Sequence, residues 1–545
     1  MATQNPHKWN VMIFLAGNNN LSEDCVFGLT EIVDATVNEN VGIFALLSTG
    51  VHRGTFLNFR DPQIKGRDQL HKKLNAALAQ QHLDDADHEH PPKQMSLSER
   101  IIEFVRQCLN EKGGRDADHH MLILAGHGNG TLGEFLREDG PDNHGDVARP
   151  MNVRNLGALI KIISQDKDLL GGRRLDVLGM DSCLMSMTEI AYAVHNYVNV
   201  MIGAEGFEPL AGWPYRKILE LVSNSPDNLN ELGRKIVNEY IEYYTVYQAA
   251  DLSVDLAASD LSENVMVMKA INSLSRALTP ILNAYPKPVR IGDFPERSSA
   301  VVRDAVLLAH WEAQLYKNEQ YTDIYDFCTL LKARLSDAYR DVRTACQNVL
   351  NAIVGAEKEQ MLEGDKWEPG LADDKYKAPW SNRETQGNDN RWMGEVNFQT
   401  ANGFILKSCY SGWAVQYSFG VSVYFPWSDV PADMEEYKKL NFAKDSKWGD
   451  FLDAYLIATK RDARPGKPDH EGRPTQFAPV FLRDNFAVAP TTFGQHRNAE
   501  SNRHAESDRH AESDRSMTNM IGSMKNPPTE FWECSEFEPP DQNRR

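Results

Sequence analysis

The sequence is short of positive charge and has no long apolar run. Its 58 Lys and Arg stand against 77 Asp and Glu, a formal net charge of −19. That balance disfavours loose attachment to nucleic acid or to an anionic membrane. No stretch approaches the ~20 consecutive apolar residues that a helix needs to cross a bilayer. Cysteine is sparse as well: seven, at positions 25, 108, 183, 328, 346, 409 and 534, odd in number and never spaced as CxxC. Neither a disulfide framework nor a thiolate zinc site fits that pattern. The amino terminus, MATQNPHKWN, lacks the basic and apolar regions of a secretory leader. The expectation is a reduced, cytoplasmic protein, without membrane or nucleic-acid partners.

What is present is ordinary globular material, 41% hydrophobic and 25% charged over 545 residues, enough for two or three domains. Apolar runs at Trp9–Leu15, Val41–Leu47, Met121–Leu124, Leu175–Met180 and Val198–Ala204 read as buried strands. Between them, helical spacing appears at about 21–38, 69–83, 97–109 and 155–165. Strands alternating with helices imply a mostly parallel sheet with right-handed crossovers. Residues 1–245 therefore read as one α/β domain. Residues 246–463 read as mainly helical, with a late alternating strand at 413–424 that could rejoin the first sheet. Residues 464–545 hold the recurring unit RNAESN, RHAESD, RHAESD, which can bury no core and reads as a disordered tail.

Two stretches carry chemistry. LDVLGMDSCLMSMTEIAYAV, Leu175–Val194, runs from strand spacing into helix spacing and sets Cys183 at the strand's carboxyl end, where ligands gather in open α/β sheets. A helix starting there would favour the thiolate. HHMLILAGHGNG, His119–Gly130, ends a second strand in a glycine-rich turn around His127. A thiol at one strand end and an imidazole at another suit nucleophilic catalysis, with Cys183 as nucleophile and His127 as acid and base. The backbone N–H groups of Gly128 and Cys183 are candidate oxyanion donors, each worth roughly 2.7–4 kcal/mol by analogy with a known donor deletion. Spacing reveals no third member. Taken singly, Cys183 reads as a buried structural cysteine and Gly-His-Gly as a turn.

MLILAGHGNG and LDVLGMDSCLMSMTEIA, with WNVMIFLAGNNNL, GAEGFEPLAGWPY and GVSVYFP, resemble the clostripain family of caspase-like cysteine peptidases. The likeness covers roughly residues 9–430. It implies a caspase-like α/β fold, a His127–Cys183 dyad, and cleavage of proteins after Arg, less readily after Lys. By position it makes Asp181 the acidic floor of the S1 pocket, which takes the residue before the scissile bond. Paired charge-assisted hydrogen bonds to a guanidinium suit that role, against the plainer reading of Asp181 as a helix N-cap. Glu205 and Glu208 are candidates for a second charge. Trp213 and Tyr215 either line the pocket or pack. The chain departs from the family pattern at Asn18, where an acid is expected, and at Pro214.

Relatives are made as zymogens cut between the histidine and cysteine blocks. Here Glu134–Met151 occupies that interval as a polar stretch holding Arg137 and Arg149. The implied event is self-cleavage, or cleavage by an upstream activating protease, after Arg137 or, against Pro150, after Arg149. Asp139, Asp142 and Asp146 in the same stretch either bind calcium, as in some relatives, or form a solvated acidic loop; the spacing is not that of an EF-hand. No metal or cofactor is required by the chemistry. His88 and His90 lie among acids in a connector that reads as a solvated loop, with a metal site as the other reading. The resulting expectation is a cytoplasmic endopeptidase of prokaryotic stress, defence or cell-death signalling. The rivals are a catalytically silent scaffold and a small-molecule acyltransferase or esterase.

Overall fold

Valine-, isoleucine- and phenylalanine-rich runs pair into strands because burial on both faces of a sheet rewards continuous apolar stretches. The computed structural model describes residues 8–50, 53–86, 95–138, 151–224, 228–246, 252–290, 297–317, 320–355, 393–396, 403–415, 417–427 and 431–460. These belong to two units. Of these described residues, one unit holds those up to Met185 together with Asn196–Ala258, and the other Ser186–His195 with those from Ser259 to Lys460. The tail at 464–545, the connector with His88 and His90, and residues 139–150 with Arg149 and the three loop aspartates lie outside the described residues.

In the first unit the elements run β1 (Trp9–Ala16), α1 (Ser22–Asp34), β2 (Val41–Gly50), β3 (Arg53–Asn58), α2 (Arg67–Ala86), α3 (Leu97–Asn110), β4 (His119–Ala125), α4 (Val153–Gln165) and β5 (Leu175–Asp181). After α5 (Thr188–Val194), which belongs to the second unit, follow β6 (Val198–Gly203), α6 (Tyr215–Ser223), α7 (Leu229–Thr245) and β7 (Val254–Asp260). The sheet order is β7-β6-β5-β4-β1-β2-β3. β1 pairs in parallel with β2 and β4, β4 with β5, and β5 with β6; β3 turns back, antiparallel to β2. The chain leaves β1 towards one edge and returns to its other side as β4. That reversal makes the carboxyl ends of β1 and β4 a topological switch point, where open sheets form their crevice.

Helices flank this mainly parallel sheet through one apolar stripe each. In α3, Leu97, Ile101, Phe104, Val105 and Cys108 face inward, and Ser96 and Glu99 close a reciprocal capping box at its start. Each fully buried Leu, Ile or Phe is worth roughly 1.5–3 kcal/mol. The core is continuous along β1, where every residue from Trp9 to Ala16 is buried.

The second unit contains α5, α8 (Asn264–Ala284), α9 (Ser299–Glu312), β8 (Leu315–Tyr316), β9 (Tyr321–Asp323), α10 (Ile324–Arg334), α11 (Arg340–Val354), β10 (Met393–Val396), β11 (Ile405–Ser411), β12 (Ser422–Tyr424), α12 (Pro431–Lys438), α13 (Asn441–Ser446) and α14 (Trp448–Lys460). β10 and β11 pair antiparallel. The strand expected over 413–424 is a correction: Trp413–Val415 is a 3-10 turn and only Ser422–Tyr424 is extended, pairing antiparallel with β9 in a three-stranded sheet. Gly412 and Gly420, both at positive φ, interrupt the alternation. Two further expectations are revised. A strand, β7, stands where the helical region was expected to be under way, and the helical stretch from Tyr325 to Val354 is two helices, broken between Arg334 and Arg340.

Candidate active site

The register of two neighbouring strands builds the site. Ala125 of β4 lies opposite Asp181 of β5, and both chains leave the sheet at that level. Two residues further on stand His127 and Cys183. The Gly126 N–H donates to the Asp181 carbonyl at 3.1 Å, closing the last rung. Beyond it Gly128 presses on the Cys183 backbone: a Cβ there would sit 2.3 Å from the Cys183 carbonyl oxygen and 3.1 Å from its nitrogen. Glycine at 128 is therefore what permits the two strand ends to approach. The same contact brings both candidate oxyanion residues together.

Both candidate side chains are held. His127, only 6% exposed, has Nε2 2.6 Å from Oδ1 of Asn20, in the turn that follows β1. Its carbonyl accepts from the Leu136 N–H at 2.8 Å. Cys183 is fully buried, and its Sγ accepts from the Glu208 N–H at 3.3 Å. The expected helix N-terminus at the thiol is corrected: α5 begins only at Thr188. Leu184 takes φ +63°, a left-handed turn uncommon outside glycine, and its N–H goes to Gly206. The backbone donor to the sulfur is thus the loop amide of Glu208, not a helix end. The same geometry removes the N-cap reading of Asp181.

Asp181 is 2% exposed. It accepts from the Tyr215 hydroxyl at 2.5 Å and from the Trp213 backbone N–H. Gly212, at φ +66°, covers it so closely that a Cβ would come within 2.8 Å of Oδ2. Glu208, fully buried, meets the same carboxyl side by side and accepts from Trp213 Nε1 at 3.4 Å. Burial raises both acids, Glu208 well above the usual carboxylate range because the Asp181 charge adds to it; Tyr215 pulls Asp181 the other way. Burial and the Asp181 charge thus favour the protonated form of Glu208, hydrogen-bonded to Asp181. Glu205 is fully buried too; its own N–H and that of Gly206 donate to Asp255 at 2.8 and 2.9 Å. Burial lifts Asp255 to about 6, against those two amides.

Arg137 does not lie in a free loop. Phe135 and Met151 exchange two backbone hydrogen bonds, at 2.8 and 3.0 Å. Leu136 is buried at φ +55°, and the Arg137 carbonyl accepts from Asn19 Nδ2 at 2.7 Å. Glu138, 3% exposed, is ion-paired to the buried Arg100. The Arg137–Glu138 bond is thus packed on both sides, and only the Arg137 side chain, 41% exposed, reaches out, towards Glu134.

A family model described as the clostripain family, peptidase C11, matches residues 13–455. The chain belongs to the clostripain family. It is a cysteine peptidase by that membership. Two solved structures of C11 proteases are similar to it. A secreted cysteine protease from Bacteroides thetaiotaomicron, in complex with an irreversible peptide inhibitor, is 14% identical with a TM-score of 0.45, covering 81% of this chain and 99% of that one. An inactive zymogen from Parabacteroides distasonis is 15% identical with a TM-score of 0.44, covering 82% and 99%. A search of curated proteins finds no match.

For this clostripain-family chain the structure brings His127, Gly128, Asp181, Cys183, Glu205, Glu208 and Trp213 into one unit, and Arg137 beside the same strand ends. Sequence reading missed Asn20, Asp255 and the Arg100–Glu138 pair. Asn20 had a signal: three asparagines in a row at the end of the first buried strand. Asp255 had none, because its strand lay unrecognised within a helical region.

Proposed function

We propose that this protein is an endopeptidase that cuts after basic residues, Arg above Lys, through His127 and Cys183, and is latent until its linker is cleaved. The observation that carries this is the Ala125–Asp181 register, with Gly128 seated on the Cys183 backbone. In the reaction Cys183 Sγ passes its proton to His127 and attacks the carbonyl carbon, forming the S–C bond. The carbonyl oxygen takes the negative charge beside the Gly128 and Cys183 amides. His127 returns the proton to the leaving nitrogen as the C–N bond breaks, leaving a thioester. Water, deprotonated by His127, then releases the acid and restores the thiol.

Basic specificity rests on Asp181 and Glu208. A guanidinium placed against them takes over the role of the shared proton, supplying charge to two carboxylates at once. The cover of Gly212 and Trp213 must shift to admit it. Latency is supported by the full burial of Cys183 and Asp181. The packed Arg137–Glu138 bond argues for a cut inside 139–150, Arg149 included, rather than after Arg137. Whether the linker is cut in cis or by an upstream protease, the anchors at Phe135, Glu138 and Met151 would outlast it. We assign the protein to the cytoplasm, a reading supported by the six described cysteines, none of them in a disulfide.

The test is hydrolysis of matched fluorogenic peptides ending in Arg, Lys, Asp or Leu, before and after linker cleavage, with calcium and with chelator. Wild type should turn over Arg and Lys peptides once cut; Cys183→Ala should be inert. Asp181→Asn should lose roughly 10- to 150-fold in kcat/KM on Arg, the order expected for removing one charged hydrogen-bond partner. Equal turnover of Leu and Arg peptides would sink the basic preference.

A further inference from the structure

Beyond the cysteine–histidine pair, a third group stands at the switch point of the sheet. The turn after β1 is fastened by Asn19: its Nδ2 donates to the Ala16 carbonyl at 3.1 Å and to the Arg137 carbonyl at 2.7 Å, and its Oδ1 accepts from the Leu21 N–H at 2.9 Å. With Asn19 so occupied, the next residue is presented outward from a fixed base. Asn20 is exposed, so burial does not dictate its identity. Yet its amide oxygen lies 2.6 Å from His127 Nε2. We propose that Asn20 is the positioning residue of this enzyme, its amide oxygen fixing the ring and tautomer of His127 so that Nδ1 is the nitrogen that exchanges protons with Cys183 and the leaving amine.

The chemistry favours an amide at this point. An amide oxygen accepts and cannot donate, so it selects the proton on Nε2 in neutral histidine and still fits when the ring becomes imidazolium. Being uncharged, it holds the ring without trapping the proton that must move on to the leaving group. A carboxylate would accept in the same place. An alkyl group would leave the ring free to turn. The role is independent of which residue the substrate carries before the scissile bond.

The experiment compares wild type with Asn20→Ala, Asn20→Leu and Asn20→Asp, all linker-cleaved, on the peptide that wild type cleaves fastest, whatever its P1 residue. Because position 20 is exposed, all three should fold, which matching melting curves would establish. Asn20→Ala and Asn20→Leu should lose about 100-fold in kcat, the cost of a reacting group displaced by about 1 Å, with KM within about twofold. Asn20→Asp should recover most of that loss. The proposal is overturned if Ala and Leu retain kcat within about threefold, if the loss appears in KM instead, or if Asp is as impaired as Leu. Should wild type cleave only non-basic peptides, the specificity reading fails while these comparisons keep their meaning.

Discussion

Two regions of the molecule bury acids, and they do it in opposite ways. In the second unit Glu189 has donors on both oxygens: Oε1 accepts from the Tyr424 N–H at 2.9 Å and the Tyr437 hydroxyl at 3.0 Å, and Oε2 from Thr188 Oγ1 at 3.0 Å. In the first unit Asp181 and Glu208 are set against each other, hydrogen-bonded carboxyl to carboxyl. Burial raises all three acids. Around Glu189 the surroundings answer the carboxylate with hydrogen-bond donors. Around Asp181, beside the Tyr215 hydroxyl and the Trp213 N–H, they supply a second acid, an arrangement that works against ionisation and suits a site that meets a cationic partner.

The largest effect should come from emptying the satisfied site. Glu189→Leu strands the Tyr424 amide and two hydroxyls in the interior, at roughly 1–3 kcal/mol for each unsatisfied group. A loss of at least about 3 kcal/mol in urea unfolding is expected. Glu189→Gln keeps Oε1 for its two donors and offers an NH2 to Thr188 Oγ1, so it should stay within about 1 kcal/mol of wild type, the scale of a single net hydrogen bond. If Gln were as damaging as Leu, the site would need the charge and the contrast with Asp181 would collapse.

Next comes the dependence on pH. Asp255 has its acidity moved from 3.8 to about 6 by burial, so the folded state prefers its protonated form. The stability it contributes is complete below about pH 4 and is lost as pH rises through about 6, a swing of roughly 3 kcal/mol. Asp255→Asn keeps an oxygen for one of the Glu205 and Gly206 amides, sets an NH2 against the other at a cost that does not vary with pH, and removes the titration. The difference in unfolding free energy between wild type and variant should therefore move in the variant's favour from pH 4 to 7. A difference that is flat over that range would mean Asp255 is charged at no cost, and that its two amides outweigh burial.

Much of the fold and the placing of His127 and Cys183 was legible in the sequence, for a local reason. β4 and β5 are continuous apolar runs that stop at glycine-rich or polar breaks, so His127 and Cys183 could be set at strand ends without any pairing. The register that brings them level could not be read, because parallel pairing depends on chains far apart in sequence. The helix assumed to start at Cys183 was misplaced for a related reason. Leu184, Met185 and Met187 keep helical spacing, but the left-handed turn at Leu184, fixed by Gly206, leaves no mark in periodicity. Asn20 looked like turn chemistry, and it is; its second task depends on an imidazole 107 residues away. Arg137 was read as loop from its polar neighbours, although Glu138 finds a buried arginine on α3.

The smallest change tests the comparison most directly. Glu208→Gln replaces a protonated carboxyl with a group of the same shape: its oxygen can accept from Trp213 Nε1, and its NH2 can donate to Asp181 as the shared proton did. Nothing is left unsatisfied and a second ionisable acid is gone, so stability should hold or rise by up to about 1 kcal/mol, most visibly as pH rises and the raised Glu208 carboxyl is pressed to ionise. The same substitution should cut kcat/KM on an Arg peptide at least tenfold, since the guanidinium then meets one carboxylate instead of two. Stability and basic preference would thus move in opposite directions, as a site kept for its ligand requires. If Glu208→Gln instead destabilised the fold and left the Arg-to-Leu ratio untouched, the pair would be a structural element like Glu189, and the pocket for the basic side chain would have to be sought elsewhere.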